Sequence, residues 1–276
     1  MKKISKNVYV ETDFQGCNTG FVVTDDGVVM IDTPLLPTDA LVWRERIAQH
    51  GTVRYLINTE PHIDHFAGNY FFRGTVIAQE GVREAIIATD AKRIKEWFKE
   101  DSPADYALVK RFKFRPPTII FSKELTLFLG KHTFHLINLP GHTPYQTAVY
   151  IPEEKVIFTS DNVFYKVLPW LQEAVPYEWL ESLKKLETWL AKVLVPGHGD
   201  VCKPNYLSEM RTGIQLWIDT VTDCIKRGMS LEQAQEKINL LDRYLIEPWD
   251  KEIAVNVQKM NVTHLYEILK AISKER

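Results

Sequence analysis

Cysteine is scarce. The chain of 276 residues holds three, Cys17, Cys202 and Cys224, an odd number without CxxC spacing. That excludes a disulfide frame and a thiolate zinc cluster, and leaves buried or incidental thiols in a reducing compartment. Long apolar runs are missing as well: none approaches the ~18 residues of a bilayer-spanning helix. The N-terminal stretch MKKISKNVYVETDF has early lysines but no apolar run behind them, so it does not read as a signal peptide. Neither sign of charge is in excess. Lys+Arg 34 against Asp+Glu 36 leaves a formal net charge of −2, which argues against a nucleic-acid or membrane-surface partner. There is no low-complexity segment and no repeat of fixed period. What remains is 45% hydrophobic and 25% charged, the composition of a folded protein. The expectation is a soluble cytoplasmic protein acting on a small molecule, built as one large domain or one with an appendage.

Strands and helices alternate through about residue 200. Asn7–Glu11 and Gly20–Asp32 are rich in Val, Tyr, Phe and Ile, and Asp25-Asp26-Gly27 marks a hairpin. Asp39–His50 carries apolar residues at helical spacing, with Gly51 as its stop. Val53–Asn58 reads as a short buried strand. Residues 80–113 turn helical and charged, Ile119–Tyr150 return to strands, and Val156–Thr159 form another. A helix near Tyr177–Lys192 and a last short strand at Val193–Val195 follow. From Asn205 the chain is helix-forming, with breaks at Gly228 and Pro248. Ile214, Trp217, Ile218 and Val221 lie at helical spacing, as core or dimer contacts would. A homodimer is therefore one open expectation.

One constellation carries chemistry. Glu60-Pro61-His62-Ile63-Asp64-His65 follows the buried strand VRYLIN and puts four ligand-type side chains within six residues. His142 in LPGHTP, Asp161 in FTSDNVF and His198 in LVPGHGD each follow another strand-like run. A lone histidine after a strand is usually a loop residue. Seven such groups at successive strand ends are better explained as donors converging on one sheet rim, the way a two-metal site is assembled. His50, His132, His135 and His264 lie outside the motifs and read as edge or surface positions. Cys202 follows His198 closely and reads as a packed thiol.

In order and spacing these motifs resemble the metallo-β-lactamase superfamily, whose signature is HxHxDH followed by distant His, Asp and His. The resemblance runs from about Gly20 to Val201 and includes MIDTP at Asp32. It implies an α+β fold, an αβ/βα four-layer sandwich, with metals at one edge. This gives a sandwich domain over 1–204 with a helical insertion at about 80–117, and a helical segment over 205–276 packed on it. By the same resemblance His62 and His142 hold one divalent metal with the group at position 60. Asp64, His65 and His198 hold the other, Asp161 bridges, and Asp32 orients a ligand. The metals are expected to be zinc, with iron or manganese as alternatives.

One residue departs from the family. Its first histidine is Glu60 here. Either Glu60 faces solvent and the first metal is weakly held, or a carboxylate oxygen replaces an imidazole nitrogen. In the second case Glu60, Asp64, Asp161 and a bridging hydroxide balance two divalent ions, so the centre is neutral and more open to iron or manganese. The activity implied is that of a binuclear metal-dependent hydrolase, using a metal-bridging hydroxide on an ester, lactone, thioester or amide carbonyl. Asp64 would orient that nucleophile or shuttle its proton. The alternative is a non-haem iron oxidoreductase or sulfur dioxygenase on the same fold. A glutathione-thioester hydrolase is disfavoured, because no basic cluster offers to hold glutathione. Tyr165, Lys166 and Trp170, just after Asp161, are the expected pocket residues, with Lys166 holding a carboxylate or simply solvated. The insertion is expected to be either a helical pair packed on the sandwich or a lid.

Overall fold

The computed structural model describes residues 1–246 and 251–274. Its strands are β1 (Lys2–Lys3), β2 (Val8–Glu11), β3 (Thr19–Thr24), β4 (Gly27–Ile31), β5 (Val53–Ile57) and β6 (Thr75–Gln79), then β7 (Ile119–Phe121), β8 (Glu124–Leu129), β9 (His132–Asn138), β10 (Thr147–Ile151), β11 (Val156–Tyr165) and β12 (Val193–Gly199). Its helices are α1 (Pro37–Ala48), α2 (Ile63–Phe66), α3 (Glu80–Ala88), α4 (Ala91–Asp101), α5 (Pro103–Leu108), α6 (Pro176–Glu187), α7 (Tyr206–Lys226), α8 (Leu231–Lys237) and α9 (Lys251–Lys274). Strands β1 to β7 form one sheet in sequence order; β12-β11-β10-β9-β8 form the second. Both are mixed. Strands β4 to β7 run parallel, as do β11 and β12, and the other pairs are antiparallel.

Period-2 alternation builds four layers. Val29 and Ile31 of β4 point inward and meet Phe134, Leu136 and Val149 of the other sheet. Val28 and Met30, one residue out of phase, point outward onto Trp43 and Ile47 of α1. On the second sheet Phe158 faces the inner core, while Ile157 packs outward on a cluster shared with Trp179 and Leu183 of α6. Helices thus cover both outer faces, which is the sandwich the motifs imply. The β3–β4 hairpin turns at Asp25-Asp26, with Gly27 at φ 122°, and the β8–β9 hairpin turns at Gly130 with φ 58°.

The apolar stripe of α7 lies inside the chain: Ile214, Trp217, Ile218 and Val221 are all buried with α6 and α9, as core rather than dimer contacts. Helix α7 ends beside Gly228, whose φ is 71°, whereas the break expected at Pro248 lies outside the described residues. The insertion forms α3, α4 and α5. Phe98, Val109 and Phe112 pack there as a cluster, and Asp105 accepts a 2.7 Å hydrogen bond from Thr38 N–H at the start of α1. No helix among the described residues is long and apolar enough to cross a membrane.

Two strands run further than their sequence suggests. β11 continues from Thr159 through Tyr165, and β12 from Val195 through Gly199, so Asp161 and His198 lie within strands. The register between these strands shifts at Ser160, whose φ is 52°. A bulge there turns the Asp161 carboxylate toward β12. Gly197 makes room for it, since a Cβ at that position would sit 1.7 Å from Asp161 Oδ1. The glycine of the Pro196-Gly197-His198 stretch serves this close approach.

Candidate metal centre

Parallel strand ends gather at one edge of the sandwich. β5 leads into Asn58, Thr59 and Glu60; the short α2 carries Asp64 and His65; the β9–β10 loop brings His142; β11 and β12 bring Asp161 and His198. The two sheets are joined at this point by a 2.8 Å bond from Thr147 N–H to the Thr59 carbonyl. All seven expected donors meet. Ligand atoms of Glu60, His62 and His142 lie within 4.8 Å of one another, as do those of Asp64, His65 and His198, and those of Glu60, His65 and Asp161.

Glu60 is fully buried, so it does not face solvent. Its Oε1 is 3.0 Å from His62 Nδ1 and 3.2 Å from His65 Nε2, which places it between the two donor groups. Its Oε2 accepts a 2.7 Å hydrogen bond from Gln146 Nε2. Gln146 is itself fully buried, and its Oε1 has no partner. Nothing in the sequence motif marks this residue. It reaches Glu60 only because Thr147 is pinned to Thr59.

Asp32 supports the other side. His65 Nδ1–H donates to Asp32 Oδ2 at 3.0 Å, which turns Nε2 into the cluster. Thr59 donates to the same carboxylate through its backbone N–H at 2.8 Å and its hydroxyl at 2.5 Å, and Ser160 Oγ lies 2.7 Å from that hydroxyl. Asp32, at φ 54°, joins Ser160 in the left-handed region, so this network holds two strained non-glycine residues in place. His142 is fixed in the same way by its Nδ1–H, which donates to the Trp170 carbonyl at 2.6 Å.

The cluster's electrostatics favour bound cations. Burial opposes charge on Asp161, but His198 and His65 hold its carboxyl well below the usual range. Burial also pushes the imidazoles down, yet neighbouring groups outweigh it: Cys17 and then the Glu60, Asp161 and Asp32 carboxylates at His65, Asp161 and Asp64 at His198, and Glu60 and Glu173 at His62, which rises to about 11. At His142 burial prevails and the value falls. Most telling, His65 Nε2 and Asp161 Oδ1 stand 3.2 Å apart, buried and without a hydrogen-bond partner. Buried polar atoms without partners are costly, and a divalent cation between such donors satisfies both. The residues present fit metal ions.

A cavity of about 600 Å³ opens over this cluster. His62, Asp64, His142, Asp161 and His198 form its floor; Leu35, Ile63, Phe164, Trp170 and Ile253 its apolar wall; Gln15, Gln172 and Glu173 its polar rim. Of the expected pocket residues, Trp170 lines this cavity and Tyr165 and Lys166 do not. Simple alternation from Asp161 would aim Tyr165 at the cavity, but the register shift between Ser160 and Phe164 puts Phe164 there, stacked on His198 at 5.3 Å and 8°. Tyr165 packs on Tyr206 at 4.7 Å. Lys166, at φ 63°, turns its ammonium over the Tyr165 ring at 5.1 Å and lines a separate cleft with Tyr206 and Arg243. None of the described residues 80–117 lines the site cavity; the insertion packs beside α1. Cys202 sits in the core behind β12, whereas Cys17 Sγ–H reaches the Asp64 carbonyl at 3.1 Å.

The family model described as the metallo-beta-lactamase superfamily matches residues 12–198. The chain belongs to that superfamily. A hydroxyacylglutathione hydrolase of Brucella anthropi is 27% identical over 197 residues, covering 71% of this chain and 63% of that protein, so the match spans less than two thirds of the relative's length. A metallo-beta-lactamase family protein from Thermus thermophilus superposes with a TM-score of 0.69 at 16% identity, over 99% of this chain and 95% of that one. An inverting sec-alkylsulfatase from a Pseudomonas species gives a TM-score of 0.73 at 16% identity, over 96% of this chain and 49% of that one. At these identities the two structures share the fold with this chain.

Proposed function

We propose that this chain is a binuclear metal-dependent hydrolase of a small-molecule ester, lactone, thioester or amide, with zinc as the expected ion in a cytoplasmic enzyme. The observation that carries this reading is the convergence of seven buried or half-buried donors around the unpartnered His65 Nε2 and Asp161 Oδ1. The hydrolases among the chain's relatives support it. Glu60, His62 and His142 would hold one ion, Asp64, His65 and His198 the other, with Asp161 between them. Bound there, two divalent ions supply an activated water and a Lewis acid for the carbonyl oxygen.

The chain's own residues do the rest. Asp64 is the most exposed carboxylate of the set on the cavity floor, with a side chain 19% exposed against 0% for Glu60 and 4% for Asp161. It is placed to orient a water in the cavity and to take up its proton. Phe164 and Trp170 wall the acyl group and exclude bulk water. No serine or cysteine nucleophile is required. Glu60 also favours a second reading, an iron-dependent sulfur dioxygenase, because a carboxylate hardens the donor set.

Metal analysis of protein grown without added zinc, followed by a panel of esters, lactones, thioesters and β-lactams, separates the two. The hydrolase reading expects hydrolysis that chelator abolishes and zinc restores, with far-UV circular dichroism intact, because the sandwich has its own core. Iron near one equivalent with no hydrolysis would support the dioxygenase instead.

A further inference from the structure

We infer that the cavity selects acyl substrates that bring no negative charge, taking uncharged apolar acyl esters or thioesters and rejecting carboxylate-bearing ones, with Glu173 as the residue that sets this preference. The inference rests on the hydrolase reading and deepens it.

Three observations carry it. First, among the described residues no Lys or Arg lines the cavity. The four residues just before α9 that are not described, Glu247, Pro248, Trp249 and Asp250, include no base either. Lys166, two residues after Phe164, is turned into another cleft, and Lys251, two residues before Ile253, does not line the cavity either. Second, the only charged group on the rim among the described residues is a carboxylate. Glu173 Oε1 stands 3.6 Å from His62 Nε2, at the mouth, with no described cation beside it other than that imidazole. Third, the wall above the floor is apolar, so an anionic tail would be desolvated against Leu35, Trp170 and Ile253 with no cation to pair with. Together with a hydroxide, the three carboxylates of the donor set would balance two divalent ions and leave no surplus positive charge to attract it.

Hydrolysis breaks the acyl C–O or C–S bond; water gives its hydroxyl to the acyl carbon and a proton to the leaving group. The acid product ionises, and the same feature that rejects anionic substrates then favours its departure. Glutathione carries two carboxylates, so the inference separates this chain's substrate from that in the name of its Brucella anthropi relative. Because Glu173 is 61% exposed, water screens it and its effect is several-fold, not thousands-fold.

The test uses the full chain loaded with zinc and two matched pairs. One is p-nitrophenyl butyrate with p-nitrophenyl hemisuccinate; the other is a neutral butyryl thioester of N-acetylcysteamine with a 2-hydroxyacyl thioester of glutathione. The neutral member of each pair is expected to have the higher kcat/KM, by about tenfold or more. Glu173→Gln should lower that ratio about threefold or more, and Glu173→Lys further. Taking the ratio cancels any effect transmitted to both substrates through His62. Gln172→Lys, which adds a cation to the rim without touching His62's neighbour, should lower it too. A ratio near one in the wild type, or one unmoved by all three substitutions, overturns the inference while leaving the hydrolase reading standing. No turnover of any ester, lactone or thioester overturns that reading and the inference with it.

Discussion

The two halves of the donor cluster are held by different means. Around Asp64, His65 and His198 the support is anionic and strained: the Asp32 carboxylate fixes the His65 ring, and Asp32 and Ser160 sit in left-handed backbone. Around Glu60, His62 and His142 the support is neutral. A Gln146 amide holds Glu60, and the Trp170 carbonyl holds His142. The difference follows from the ligand. An imidazole has a spare N–H that a carboxylate or carbonyl can accept, and the acceptor raises its basicity. A carboxylate ligand has a spare oxygen, which needs a donor, and a neutral amide supplies one without adding charge to a site already holding three carboxylates. Exchanging His for Glu at position 60 therefore changes what must stand behind it.

The largest expected effect removes a donor outright, leaving its support in place. His142→Ala should lower activity by about 10³-fold or more, since lost metal costs several kcal/mol of transition-state stabilisation, and should reduce bound metal. Normal turnover at full occupancy would break the assignment. Next comes the anionic support. Asp32→Asn keeps a residue that tolerates φ 54° but removes the charge behind His65. Metal affinity on that side should fall about 10–100-fold, measured by chelator competition. The neutral support should matter less. Gln146→Met should weaken metal binding about tenfold, and in a Glu60→His background its effect should shrink, because the carboxylate oxygen it serves is gone. Equal losses in both backgrounds would show that Gln146 only packs.

The converging donors were legible in the sequence because each lies in a short motif at or just beyond a run of apolar strand residues, and such runs bring their motifs to one edge, although Asp161 and His198 prove to lie within longer strands. The helix over Asp39–His50 and the Asp25–Gly27 hairpin were legible for local reasons, period and turn chemistry. What the sequence did not reveal depends on pairing between distant strands. Gln146 becomes a partner of Glu60 only through the Thr147–Thr59 bond. Phe164 displaces Tyr165 from the cavity because β11 slips against β12. Ile253 reaches the wall from α9, far along the chain. A solvent-facing Glu60 was one of two alternatives in the sequence, and its complete burial removes that one.

The smallest effect lies away from both halves and serves as their control. Glu154, on the β10–β11 turn, accepts from Asn7 Nδ2 at 2.7 Å and stands 2.9 Å from His132 Nε2. Burial raises its pKa, but the neighbouring His132, Ser5 and Asn7 outweigh it and lower it to about 2. A lowered carboxylate stabilises the fold above its unfolded value and loses that contribution as pH falls through its folded value. Glu154→Gln should cost about 1–2 kcal/mol at neutral pH and flatten the stability loss between about pH 5 and pH 2, read by urea unfolding, with metal stoichiometry unchanged. A change in stoichiometry would mean the two regions are coupled.

The central claim is that Glu60 completes a two-ion centre. It is tested most directly by equilibrium metal titration of wild type, Glu60→Ala and Glu60→His under identical zinc loading, with stoichiometry from elemental analysis. The account predicts two equivalents for wild type, one for Glu60→Ala and two for Glu60→His, all three proteins remaining folded by circular dichroism. Two equivalents retained in Glu60→Ala, or a single equivalent in wild type, would contradict it.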